Sequence, residues 1–211
     1  YLNYEIQQNT TDSNKRIVRD SLRWIQTYGS YSKRESFSPS TIEKIWDEAA
    51  ISIRTIVLCS AFLLATTEKD REYIKIAAQD HFYLLCLPTL YRAKHNHGFY
   101  QNVAALCFCE TFPKEKSSIK YKKTIEKRIL DMCAFLLTDE GFLKAHSPGY
   151  QDFFLYGHIT ILRHFTFPPS FKQALSEALI PMARSLRLFQ RPNDAGTNWR
   201  HIFSDTSLPK P

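Results

Sequence analysis

Two glycine-bearing turns hold the polar residues of this chain best suited to chemistry. Lys94-His95-Asn96-His97-Gly98 follows one long apolar segment, and Gly141-Phe142-Leu143-Lys144-Ala145-His146-Ser147-Pro148-Gly149-Tyr150 leads into another. Between them they offer an amide (Asn96), an imidazole (His97) and a phenol (Tyr150). That set suits proton abstraction beside a carboxylate. An amide donor neutralises the carboxylate and stabilises the negative charge that develops next to it. An imidazole serves as a second donor or as a base near neutral pH. A phenol passes a proton to the departing oxygen. Polar groups set on loops by a rigid helical scaffold are a common way to build such a site.

Plainer readings stand beside this one. His95 to Gly98 is also the pattern of a helix-ending turn, with Gly98 left-handed and Asn96 a capping group. Metal binding by His95 and His97 is the weaker reading, because no Cys or carboxylate lies near them in sequence. His146 to Tyr150 reads as a Pro-Gly turn starting a helix, with Tyr150 as an amphipathic packing residue.

The elements that must position these turns are helices. Apolar residues recur at helical spacing almost throughout, and no run alternates as a strand does. The spacing predicts a first helix over 14–28, with Ile17, Leu22 and Ile25 inward and Gly29 closing it. Ser38 to Thr41 is expected to cap a long helix reaching Ala65. Asp70 is expected to cap a third helix running to Ala93, with Pro88 kinking or ending it. Further helices are predicted from just after Gly98 to Phe112 and over 117–137, the latter with Ile125, Ile129, Met132 and Leu136 inward. The last two are expected over 150–165 and 170–189, with Pro181 a kink in the second. Residues from 190 onward read as loop. Two helices separate the Asn96 turn from the Tyr150 turn, one leading away and one returning. Both turns are therefore expected at the same end of a helical array built from antiparallel hairpins.

Composition narrows the class. The chain has 211 residues, of which 44% are hydrophobic and 23% charged, as in a folded globular domain with a sizeable core. The longest apolar candidate, 51–65, is interrupted by Arg54, so no membrane insertion is expected. The net charge of +7 favours an acidic partner. The basic residues are dispersed, and the densest run, Lys114 to Lys127, reads as the solvated face of a helix. Cys59, Cys86, Cys107, Cys109 and Cys133 lie within apolar stretches without zinc or redox spacing, and the odd number argues against a full disulfide framework.

The two turns, in this order, resemble the helical domain of the heparinase II/III-like and alginate-lyase-like polysaccharide lyases. Those proteins carry an Asn-His-Gly turn followed by a Gly-Phe…His-Ser-Pro-Gly-Tyr segment. The stretch from Trp46 to Arg54 resembles the family's upstream Trp-to-Arg segment. Asn193-Asp194-Ala195-Gly196-Thr197 with Ser204-Asp205-Thr206 resembles its closing segment. The resemblance implies an all-α fold, an incomplete α/α toroid of antiparallel helical hairpins around a groove for an acidic polysaccharide or oligosaccharide. It implies a single helical domain over 1–211, part of a longer protein with a C-terminal β-sandwich. The implied reaction is β-elimination: a base removes the C5 hydrogen of a uronic acid and the 4-O bond breaks. Asn96, His97 and Tyr150 match the catalytic positions, and Arg54, His146, Arg200 and His201 are candidates for binding substrate carboxylates. Trp46, Tyr91 and Trp199 are candidates for stacking on sugar rings, although an aromatic on a helix is more often core. His81, His158 and His164, inside helices, read as packing or surface residues.

Departures from the family pattern are Gln151, where a basic residue usually follows Pro-Gly-Tyr, and Ser204, where a Gly precedes the terminal Asp. No metal or other cofactor is expected in this chain. The resemblance points to a periplasmic or secreted protein, whereas the free thiols point to a reducing compartment. A non-catalytic glycan-binding or assembly domain of the same fold is the alternative reading. A nucleic-acid-binding scaffold is asked for by the charge alone and by none of the motifs.

Overall fold

The computed structural model describes residues 11–29, 38, 40, 45–144 and 148–187. Among them the architecture is all-α. Seven helices follow in chain order: α1 (Thr11–Tyr28), α2 (Glu48–Leu64), α3 (Glu68–Cys86), α4 (Asn96–Thr111), α5 (Lys116–Leu136), α6 (Pro148–His164) and α7 (Pro169–Arg187). The chain divides into two compact units, Tyr1–Ile125 and Glu126–Pro211.

In the first unit, four-residue spacing builds α1: Ser13, Ile17, Ser21 and Ile25 form its buried face. Gly29 ends the helix as expected, at a φ of 64°, with its N–H donated to the Ile25 carbonyl at 2.7 Å. α2 is apolar over most of its circumference, so it must sit among other helices. It packs against α1, α3 and α4, and Ile51, Leu58 and Ala61 are sealed within that contact. The aromatic core beside it stacks Phe82 of α3 on Phe108 of α4 with ring centroids 4.2 Å apart. Burying either ring contributes about 2–3 kcal/mol relative to exposure.

Helix ends depart from the sequence expectation in three places here, each for a local reason. α2 starts at Glu48, where Asp47 caps it by accepting from the N–H groups of Ala49 and Ala50 at 2.9 and 3.2 Å. The expected cap at Ser38 to Thr41 falls largely outside the described residues. α3 is capped by Thr67 and not by Asp70. The Thr67 hydroxyl accepts from the Asp70 N–H, and Asp70 returns its carboxylate to that hydroxyl at 2.8 Å. α3 also stops at Cys86, well short of Ala93, because Leu87 precedes Pro88 and takes the extended backbone that proline imposes on its predecessor.

In the second unit, Ile129, Met132 and Cys133 of α5 are buried. The chain then reverses through a turn closed by an isolated bridge between Leu137 and Leu143. Gly141 occupies this turn at a φ of 84°, and a Cβ there would fall 2.2 Å from the carbonyl carbon of Pro181 in α7. Both restrictions demand glycine. Gln151 of α6 is buried beneath the turn. Its amide accepts from the Leu143 N–H and donates to the Ser185 hydroxyl at 2.5 Å. Gln151 is thus a clamp between the turn and α7.

The lysine run over 114–127 lies outward along α5, with Lys116, Lys120, Lys123 and Lys127 exposed and Lys122 paired with Glu110 at 3.1 Å. All five cysteines are free, four of them buried. Burial pushes the Cys59 and Cys133 thiols up to about 12, so they behave as small apolar side chains. His81 and His158 are fully buried, while His164 is exposed.

Candidate functional site

The Asn96 turn is positioned by the second turn of the helix it begins. Gln101 is buried, donates Nε2 to the Leu90 carbonyl at 2.7 Å and accepts from the Arg92 N–H at 2.9 Å. The neighbouring Asn102, also sealed, donates Nδ2 to the Tyr91 hydroxyl at 3.2 Å. Two buried amides of α4 therefore hold the 90–92 segment through its backbone and its tyrosine. Such hydrogen bonds remove donors and acceptors that would be costly to bury alone.

Gly98 completes this docking. A Cβ at Gly98 would stand 2.3 Å from the Arg92 carbonyl oxygen. The glycine is required for close approach of the loop, not for a left-handed turn: positive φ among the described glycines occurs only at Gly29 and Gly141. The capping expectation is corrected as well. α4 begins at Asn96, and its N-cap is His95, whose Nδ1 accepts from the His97 N–H at 3.2 Å. In this contact Nδ1 is the acceptor nitrogen of the His95 ring.

At this helix start lies a cleft of about 630 Å³ bordered by Glu48, Tyr91, Arg92, Lys94, His95 and His97. Glu48 comes from the first turn of α2. Its Oε1 receives both Arg92 Nε at 2.9 Å and His97 Nδ1 at a longer 3.4 Å. The His95 and His97 rings meet edge to face, 4.3 Å between centroids. Burial alone would raise the Glu48 pKa. Its own backbone N–H, Arg92 and His97 outweigh that and bring it down to about 2. Glu48 is therefore a carboxylate throughout the neutral range, surrounded by cationic and imidazole groups.

Of the residues expected in the site, His97 borders this cleft. Asn96 is the first residue of α4 and part-buried; its Oδ1 is buried without a hydrogen-bond partner among the described residues. Tyr150 is a half-buried residue in the first turn of α6, in the second unit. His146, Arg200, His201 and Trp199 lie outside the described residues. Tyr91 is at the cleft, whereas Trp46 is buried. Glu48 and Arg92 escaped sequence reasoning. Glu48 stands directly after Trp46-Asp47 in the first turn of α2, where a carboxylate is favoured by the helix dipole. That gave it a sufficient local explanation, and no sequence pattern announces a pair 44 positions apart.

Arg54 has a separate setting. Its guanidinium lies over the Trp24 ring at 4.6 Å and the Trp46 ring at 5.5 Å. Nε donates to His81 Nε2 at 3.2 Å and Nη2 donates to the Ile45 carbonyl. His81 Nδ1 in turn donates to the Ala77 carbonyl at 2.8 Å. Burial, then the nearby Arg54 charge, bring the His81 pKa down to about 4 against a weaker upward pull from Ala77. The imidazole is thus neutral, with one nitrogen donating and the other accepting. Burial likewise brings Arg54 down to about 10, which leaves it a cation at neutral pH.

No group of three or more metal-ligating side chains is assembled among the described residues. None of their helices is long and apolar enough to cross a membrane. Comparison of the chain with protein-family models, curated proteins and solved structures returns no match.

Proposed function

We propose that this protein is a polysaccharide lyase that cleaves a uronate-containing glycan by β-elimination, on the incomplete toroid of helical hairpins that its motifs imply. The observation that carries the reading is the cleft at the start of α4. Arg92, Lys94, His95 and His97 gather there beside Asn96, and among the described residues the only carboxylate bordering the cleft is Glu48. A concave cationic site at a helix N-terminus suits an anion.

In the proposed reaction the substrate carboxylate is neutralised by Asn96, which has its Nδ2 amide to donate while Oδ1 is buried. The C5 proton then leaves to a base, the electron pair enters the enolate, and the C4–oxygen bond breaks to give an unsaturated sugar. His97 is the proposed second donor or base, and Tyr150, assigned by resemblance, protonates the leaving oxygen. Incubation with alginate, heparan-type and hyaluronan-type polymers tests this by the absorbance of unsaturated uronate. Asn96→Ala is expected to reduce turnover about a hundredfold or more with the fold intact, since one preorganised donor supplies roughly 3–4 kcal/mol of transition-state stabilisation.

A non-catalytic glycan-binding or assembly domain is the second reading. It is favoured by the pairing of His97 with Glu48, which occupies a group that the reaction would use. Retention of uronate polymers without formation of double bonds selects it.

A further inference from the structure

Glu48 and Arg92 carry no assigned role in the reaction, yet they organise the cleft. Both Arg92 Nε and His97 Nδ1 converge on one oxygen of Glu48, one from a loop and the other from a helix start. A carboxylate accepts and never donates, so His97 must carry its proton on Nδ1 to make this contact. Among the described residues, the charged and titratable groups that share the cleft with His97 are Glu48 from α2 and Tyr91, Arg92, Lys94 and His95 from the loop. Among them Glu48 is the single anion. An arginine held through Nε keeps its terminal nitrogens available as a fork, the geometry that grips a carboxylate through two parallel bonds. The contact to His97, at 3.4 Å, is the longer of the two.

We infer that Glu48 is a positioning residue: it fixes His97 as the Nδ1–H tautomer, whose Nε2 is then a proton acceptor, and holds Arg92 by Nε, so that the Arg92 terminal nitrogens face a ligand carboxylate. The ligand half of this inference rests on the uronate reading; the positioning half does not. Arg92 is then the cleft's carboxylate-gripping arginine, and Glu48 acts only through its two partners.

Nitrogen-15 NMR of the full chain without ligand tests the positioning. Above the imidazole titration, wild-type His97 is expected as the Nδ1–H tautomer with a slowly exchanging Arg92 Nε–H. In Glu48→Ala the imidazole moves toward the Nε2–H tautomer and the Arg92 signal is lost to exchange. A wild-type His97 already protonated on Nε2 overturns the inference without recourse to any variant, as does an unchanged tautomer in folded Glu48→Ala. Titration with a short mannuronate oligomer and its methyl ester tests the ligand half. Wild type is expected to prefer the free acid at least tenfold, and Arg92→Ala to lose most of that preference. Equal binding of acid and ester by wild type overturns the assignment of Arg92. If wild type binds no uronate oligomer while the tautomer switch is intact, the glycan reading fails and Glu48 stands as the positioning carboxylate.

Discussion

Arg54 and Arg92 each stand beside a histidine, one enclosed by indoles and one at the rim of a cleft. Arg54 donates to a neutral His81 whose other nitrogen is spent on the helix backbone. Arg92 and His97 instead share the carboxylate of Glu48, and each keeps nitrogens that the carboxylate does not use. The same two residue types therefore serve opposite ends. Where both imidazole nitrogens are consumed internally and aromatic faces enclose the cation, the pair supports the fold. Where an added carboxylate balances the charge beside an open cleft, the pair is available to a ligand.

The largest test of this contrast is stability after truncation of the enclosed arginine. Arg54→Ala removes a cation from two indole faces and leaves His81 Nε2 buried without its donor. It is expected to cost about 3 kcal/mol in urea denaturation. A cost no greater than that of truncating Arg92 would break the contrast.

Acid should separate the two clusters next. His81 has a folded pKa near 4 against an ordinary 6.5, so between those values the unfolded chain binds more protons. Its contribution is complete above pH 6.5 and is lost as pH falls to 4, amounting to about 3 kcal/mol. His158 in the second unit, lowered to about 4 by burial, acts in the same direction. Glu48 runs over a different range: its lowered pKa makes a contribution present above 4.5 and lost only as pH falls through about 2. The Arg92–Glu48 pair is thus expected to persist at pH 5 while the enclosed cluster weakens. Urea midpoints at pH 7 and 5 in wild type and His81→Gln measure the difference. An equal loss in both proteins would assign it elsewhere.

Gly98→Ala sharpens the picture of how the open cluster is held. The Cβ must displace the Arg92 carbonyl from 2.3 Å, at an expected cost of about 2 kcal/mol. Weaker protection of the Arg92 amide in hydrogen exchange should accompany it. The smallest effect belongs to Arg92→Ala. Its side chain is 58% exposed, so the pair with Glu48 is expected to contribute less than about 1 kcal/mol and to weaken with added salt.

Much of the helical framework was legible. Gly29 ends α1 where apolar spacing stops, and Ile17, Ile25, Ile125, Ile129 and Met132 are buried as their periodicity predicts. Leu22 and Leu136 are only half-buried, because a residue at the edge of an apolar stripe is covered or not according to its neighbouring helix. Caps were less legible. Thr67 and Asp70 both have the right chemistry, and backbone conformation chooses between them. Leu87 before Pro88 should have ended α3 sooner on local grounds alone, since that restriction is steric.

The candidate site was legible in its residues and illegible in its supports. Asn96, His97 and Gly98 stand out because they interrupt an apolar pattern with a short polar motif. Gln101, Asn102 and Glu48 form no such motif: each is a polar residue within or at the start of a helix, with nothing in its neighbours to mark it. Side-chain periodicity is a short-range property, so the chain order alone could declare where helices lie, which faces are apolar and which turns are unusually polar. That Gly98 makes room for a carbonyl, that Gln151 clamps a turn, and that one Arg–His pair is enclosed while another borders a cleft depend on atoms brought together from distant positions. Burial and partner identity, which set charge state and availability, exist only after those atoms meet.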